Sequence, residues 1–95
     1  MSAYILVDGE VTDPTRYEGY KKAAQAAVEL YGGRYLVRGG AAQVLEGDWQ
    51  PHRIVVLEFP SRESVRRFFT SPEYQAARKL RAGAARMNII AVDGA

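Results

Sequence analysis

The chain contains one histidine, His52, and no cysteine, so acid/base chemistry near neutral pH rests on that imidazole. Asp8 closes the run "AYILVD" and His52 opens "HRIVVLEF". If these runs lie antiparallel side by side, the carboxylate falls next to the imidazole with matching parity. A carboxylate orienting an imidazole is the smallest unit able to take a proton from a substrate and return it. The same residues also read as a cross-strand salt bridge at a sheet end, which is the commoner use of such a pair. Arg38, in "GGRYLVRGG" at residues 32–40, offers a permanently charged planar fork suited to a carboxylate. It either anchors an organic acid at the edge of a pocket or makes a structural pair with Glu58 or Glu46. Tyr17, Tyr20 and Tyr74, together with Phe68 and Phe69, sit at helical spacings. They line a ligand cavity with polar tips or simply pack helix on sheet.

Metals and cofactors find little support. One histidine and scattered carboxylates supply no three- or four-ligand cluster. A haem would want a proximal histidine on a helix, whereas His52 opens a strand. The glycines around "RYLVR" contain no GK[ST] element and do not open a helix, so they are no phosphate loop.

The elements that must carry these residues are legible from periodicity. "AYILVDGEV" at 3–11 reads as a strand. Asp13-Pro14 supplies an N-cap and first helical position, and Tyr17, Tyr20, Ala24, Ala27, Val28 and Tyr31 recur on one face of a helix over about 14–31, ended by Gly32. Residues 34–46 read as a second strand interrupted at Gly39-Gly40, "EGDWQP" as a turn and 52–59 as a third strand. Ser61 and Ser71-Pro72 each cap a short helix, the second turning Tyr74, Ala77 and Leu80 inward until Gly83, and 87–93 forms a fourth strand.

The order β-α-β-β-α-β is that of the α+β ferredoxin-like fold, a four-stranded antiparallel sheet with its helices on one face, here as a single domain over 1–95. By parity Ile5, Val7, Val11 and Val55, Leu57, Phe59 form the side under the helices. The opposite side, with Leu6, Ile54 and Val56 at its centre, is also apolar. A sheet face meeting water would alternate more cleanly. Both helical layers are already used, so the expected cover is a second copy of the chain, giving a homodimer through the helix-free face. The small size of the chain, 95 residues, and the lack of disulfides leave a thin core that a partner would reinforce.

Charge points weakly elsewhere. The net +2 is concentrated in residues 61–86, where seven basic side chains face only Glu63 and Glu73. A solvated helical face accounts for this, and nucleic acid is disfavoured as a partner because strand three has aliphatics where an RNA-recognition module carries its stacking aromatics. "MSAYILVDGE" lacks a basic start and its apolar run is cut by Asp8, so neither a signal peptide nor a membrane partner is expected and the cytoplasm is the default location.

The spaced motifs "YLVRGG", "LEGDW", "RIVVLEFPS" and "SPEYQAARKLR" closely resemble the bacterial family catalogued as domain of unknown function 1330, over nearly the whole chain. The resemblance implies a dimeric α+β barrel, in a superfamily that also holds cofactor-free monooxygenases, muconolactone isomerase-like proteins and chlorite dismutase-like haem proteins. It implies no established reaction and carries over no catalytic residues. Three functions remain open: a barrel that binds, or turns over without cofactor, a small organic acid or aromatic compound in a cavity reached by Arg38 and His52; a noncatalytic dimerisation or ligand-sensing module; and a binder of anionic polymers.

Overall fold

The computed structural model describes residues 1–95. Its elements run β1 (Ala3–Val11), α1 (Pro14–Leu30), β2 (Arg34–Arg38), β3 (Arg53–Phe59), α2 (Arg62–Phe69), α3 (Pro72–Leu80) and β4 (Ala85–Asp93). The strands form one antiparallel sheet in the order β2-β3-β1-β4, the ferredoxin-like α+β arrangement. Each helix begins where a short polar side chain takes up a free backbone N–H. The Asp13 carboxylate accepts from Arg16 N at 3.2 Å, Ser61 Oγ from Ser64 N at 3.1 Å and Ser71 Oγ from Tyr74 N at 3.0 Å.

Alternation along the central strands sets the core. Ala3 and Ile5 of β1 lie against Val55, Leu57 and Phe59 of β3, all buried beneath α1 and the α2–α3 pair. Phe59 is wholly enclosed, its ring 5.1 Å from that of Phe68, which in turn stands 4.6 Å from Tyr74. Gly33 permits this packing, because a Cβ there would come within 2.5 Å of the Phe59 ring.

The helix-free face carries Leu6, Ile54, Val56, Ile90 and Val92 in facing register, with Ile90 59% and Val92 46% exposed. Ion pairs frame it: Arg34 with Glu58 and Arg86 with Glu10. The pair of Arg62 with Asp93 lies on the helix side, Asp93 standing opposite the buried Ala3.

Four local expectations need correction. The second strand stops at Arg38 rather than running to residue 46. Gly39 turns the backbone at φ +75° and donates its N–H to Ile54 O, and the following residues, on the outer edge of the sheet, have no neighbouring strand to hold them. The third strand begins at Arg53, with His52 just outside it, and the fourth begins two residues early, at Ala85. Leu80 points outward, 46% exposed, because the inward line of α3 runs from Tyr74 through Ala77 to Arg81.

Candidate functional site

Between the helices and the sheet lies a cavity of about 40 Å³. Of its 17 lining residues 14 are hydrophobic, and the other three, Lys21, Arg38 and Arg53, are all cationic. No carboxylate lines it. Tyr17 and Tyr20, one turn apart on α1, have ring centroids 5.2 Å from each other. Tyr20 and Tyr74 bring their hydroxyls to 3.0 Å across the interior. The three tyrosines singled out in the sequence therefore converge, and Tyr35 of β2 joins them. Burial pushes the Tyr17, Tyr20 and Tyr35 hydroxyls above the ordinary phenol range, furthest for Tyr20. All three are neutral hydrogen-bonding groups at physiological pH.

Arg38 reaches the cavity rim from the last position of β2. Opposite Val55 in the register, it faces the helices. Neither carboxylate expected of it is its partner. Its Nη1 donates to Gln25 Oε1 at 2.8 Å, and its guanidinium lies 4.3 Å from the Tyr35 centroid. Glu58 is instead held by Arg34, at 2.7 Å from Nε, and by the Tyr4 hydroxyl at 3.2 Å. The Arg34 hydrogen bond is the main cause of a lowered Glu58 pKa.

Two further arginines belong to this region. Arg53 faces the helices, its guanidinium 5.7 Å from the Tyr17 centroid. Gly39 leaves it room, since a Cβ there would stand 2.9 Å from Arg53 Nε. Arg81, just past α3, lies 5.4 Å from the Tyr20 centroid, and its Nε is enclosed with no hydrogen-bond partner. The sequence did hold a signal for both. Arg53 shares the parity of Val55, Leu57 and Phe59, and Arg81 continues the spacing of Tyr74 and Ala77.

Asp8 and His52 do meet. The His52 backbone N–H donates to Asp8 Oδ1 at 2.8 Å, the ring Nδ1 stands 3.6 Å from the same oxygen, and Nε2 stands 3.9 Å from Glu10 Oε2. Trp49 Nε1 donates to the other Asp8 oxygen at 2.9 Å. The His52 backbone bond, then the indole bond, lower the Asp8 pKa. This cluster sits on the helix-free side, Asp8 opposite Ile54 and Asn88, whereas Arg38 faces the helices. The sheet separates them, so His52 does not reach the cavity that Arg38 borders. No group of three or more His, Asp or Glu side chains is placed to hold a metal ion, and no helix is long and apolar enough to cross a membrane.

The family model described as "Domain of unknown function (DUF1330)" matches residues 2–95. No protein of curated function matches the chain. Among solved structures, a protein of unknown function from Rhodopseudomonas palustris is similar with TM-score 0.78 and 19% identity, covering 99% of this chain and 82% of its own. The cofactor-independent oxygenase SnoaB from Streptomyces nogalater is similar with TM-score 0.66 and 12% identity, over 99% and 93%. A dimeric ferredoxin-like protein of unknown function from Thermobifida fusca follows with TM-score 0.64 and 14% identity, over 99% and 92%. At such identities the likeness is one of fold.

Proposed function

The chain belongs to the family described as Domain of unknown function (DUF1330), and from that premise we propose that it is a homodimeric α+β barrel whose helix–sheet cavity binds a small organic acid or aromatic compound. One observation carries the reading. Arg38 and Arg53 stand at the rim of an aromatic cavity with no carboxylate lining it, and neither forms an ion pair with an acidic side chain. A guanidinium without a carboxylate partner is a ready seat for an acid. The cavity, at about 40 Å³, has room for water rather than for a ring, so ligand entry swings Arg38 away from Gln25 and Tyr35. The protomer acts as one domain over residues 1–95, and a cytoplasmic setting suits a chain without cysteine.

Dimerisation uses the helix-free face, whose apolar centre and ion-paired border resemble a subunit interface in composition. The ferredoxin-like structure from Thermobifida fusca is described as dimeric, which supports a homodimer here. A dimer built through the helix-free face would set Asp8, His52 and Trp49 toward the partner.

Catalysis without cofactor is the stronger form of the proposal, supported by the fold shared with SnoaB. The position of Asp8 and His52 on the other side of the sheet favours the second reading, a noncatalytic ligand-sensing dimer. A thermal-shift screen of organic acids and aromatic compounds, followed by turnover assays on those that bind, tests both. A ligand that binds only the native protein raises its melting temperature. A raised Tm with chemical conversion supports the enzyme and a raised Tm without it the sensor, while no shift across the screen removes the cavity as a site. For the proton-transfer role, His52→Asn with full turnover would exclude the imidazole.

A further inference from the structure

Resting on the cavity reading above, we propose that the ligand is a monocarboxylate with an aliphatic tail, its acid group at Arg38 and Arg53 and its tail laid across the sheet toward the outer edge of β4. The floor of the cavity holds a row of side chains running crosswise to the strands. In the register Arg38 stands beside Val55, Val55 beside Val7 and Val7 beside Ile89. Each strand gives one residue, and all four line the cavity. Neighbouring strands lie about 4.8 Å apart, so the row spans about 14 Å.

Polarity changes along that row. The two arginines enter from β2 and β3 at one end, whereas β1 and β4 contribute only Ile5, Val7, Met87 and Ile89. Arg38 is held by the neutral amide of Gln25, and Arg53 forms no ion pair with an acidic side chain. Lys21, the third cation, is occupied by Glu18 at 3.3 Å.

Beyond the apolar end the wall opens. A cleft of about 190 Å³ lies between α2 and β4, lined by Ile5, Val65, Phe69, Ile89, Ile90 and Ala91, all hydrophobic. Cavity and cleft share Ile5, Phe69 and Ile89 as walls. The two isoleucines are β-branched side chains fixed in strands, so Phe69, half-buried at the end of α2, is the part of the shared wall free to turn. Its rotation joins the enclosed space of about 40 Å³ to the cleft.

The two ends select the chemistry. A guanidinium fork matches the two oxygens of one carboxylate. A cleft without a polar side chain takes methylene and methyl groups, and a second acid group there would be desolvated with no partner. A row of this length suits a chain of about eight to ten carbons.

The test is calorimetric titration of the full chain with butyrate, hexanoate, octanoate and decanoate, with benzoate for comparison and octylammonium as the charge-reversed control. Affinity is expected to rise at least about twofold for each methylene added between butyrate and octanoate, and octylammonium to bind at least about tenfold more weakly than octanoate. Ala91, exposed on the helix side of β4 opposite Ile5, allows the cleft to be filled from its rim. Ala91→Phe is expected to bring octanoate down to the affinity of butyrate while leaving butyrate within about twofold. In the native protein the methyl signals of Val65 and Ile89 shift with octanoate and not with butyrate, a readout that needs no variant. A flat series, octylammonium matching octanoate, octanoate binding Ala91→Phe at native strength, or unmoved Val65 and Ile89 signals overturns the tailed-acid assignment, and benzoate or butyrate binding then keeps the cavity as a site. If none of the acids binds, benzoate included, both readings fall.

Discussion

The hydroxyl oxygens of Tyr20 and Tyr74 meet at 3.0 Å inside the molecule, tying the inner side of α1 to that of α3. Each phenol is buried and each satisfies the other. Replacing one by phenylalanine strands its neighbour at a cost of about 1–3 kcal/mol. Replacing both removes two polar groups together, so Tyr20→Phe/Tyr74→Phe should lose less than the sum of the single losses. Urea unfolding midpoints of the three variants measure this, and strict additivity would show that the pair is not coupled.

Alkaline pH should destabilise the fold. Burial raises the Tyr20 hydroxyl far above the ordinary phenol pKa, and those of Tyr17 and Tyr35 in the same direction. A raised phenol pKa means that the folded state favours the neutral form. The associated stability is fully present below the unfolded pKa of about 10 and is lost as pH rises through and above it. Tyrosinate absorbance is expected to rise in two stages, exposed phenols first and the buried set together with loss of the circular dichroism signal. A single smooth titration with the fold intact would contradict it.

Three glycines should respond to alanine with different sign. Gly39→Ala places a Cβ at φ +75° and 2.9 Å from Arg53 Nε, costing about 1–2 kcal/mol and weakening acid binding by displacing Arg53. Gly33→Ala drives a methyl into the Phe59 ring and should cost at least about 2 kcal/mol. Gly19, inside α1 with open space around it, should gain about 0.5–1 kcal/mol from the same change. Chemical unfolding ranks the three, and only Gly39→Ala should alter ligand affinity by way of Arg53.

For assembly, Ile90→Arg puts a charge into the middle of the helix-free face. Sedimentation of the native chain should report twice the protomer mass, and the variant should fall to the protomer mass or lose its fold. Leu30→Arg, at a site 63% exposed at the end of α1, should leave the mass unchanged. A native chain that sediments as a protomer would dismiss the interface.

Most of the fold was readable in advance because hydrophobic parity and capping residues act locally. Asp13, Ser61 and Ser71 mark the helix starts, and the alternation in 3–11 and 53–59 gives the buried face. The end of β2 was not readable. "AAQVL" has strand-like residues, but strand formation needs a neighbour, and beyond Gly39 the edge of the sheet offers none, so Leu45 is left 89% exposed. The candidate site was half legible. Residue type picked out Arg38 and the tyrosines, and antiparallel pairing brought Asp8 to His52. Arg53 and Arg81 are hidden from a reading by residue type although their spacing places them inward, because a charged side chain faces water unless a wall of rings gives it another surface. Which side of the sheet a residue serves was equally decisive: one step in parity separates Arg53 from His52.

The register opposes Ala3 to Asp93, and Gly94 N donates to Ser2 O at 2.8 Å. The middle strand β1 therefore finds both its neighbours only in the later half of the chain. At ribosomal speeds of about 5–20 residues per second, β1 leaves the tunnel on the order of ten seconds before β4 can meet it. Throughout that interval its edge toward β4 stands open, which makes a nascent copy a natural client for chaperones. It also makes a circular permutant, cut within residues 40–52 and joined across the neighbouring ends, a version whose sheet could close from adjacent segments.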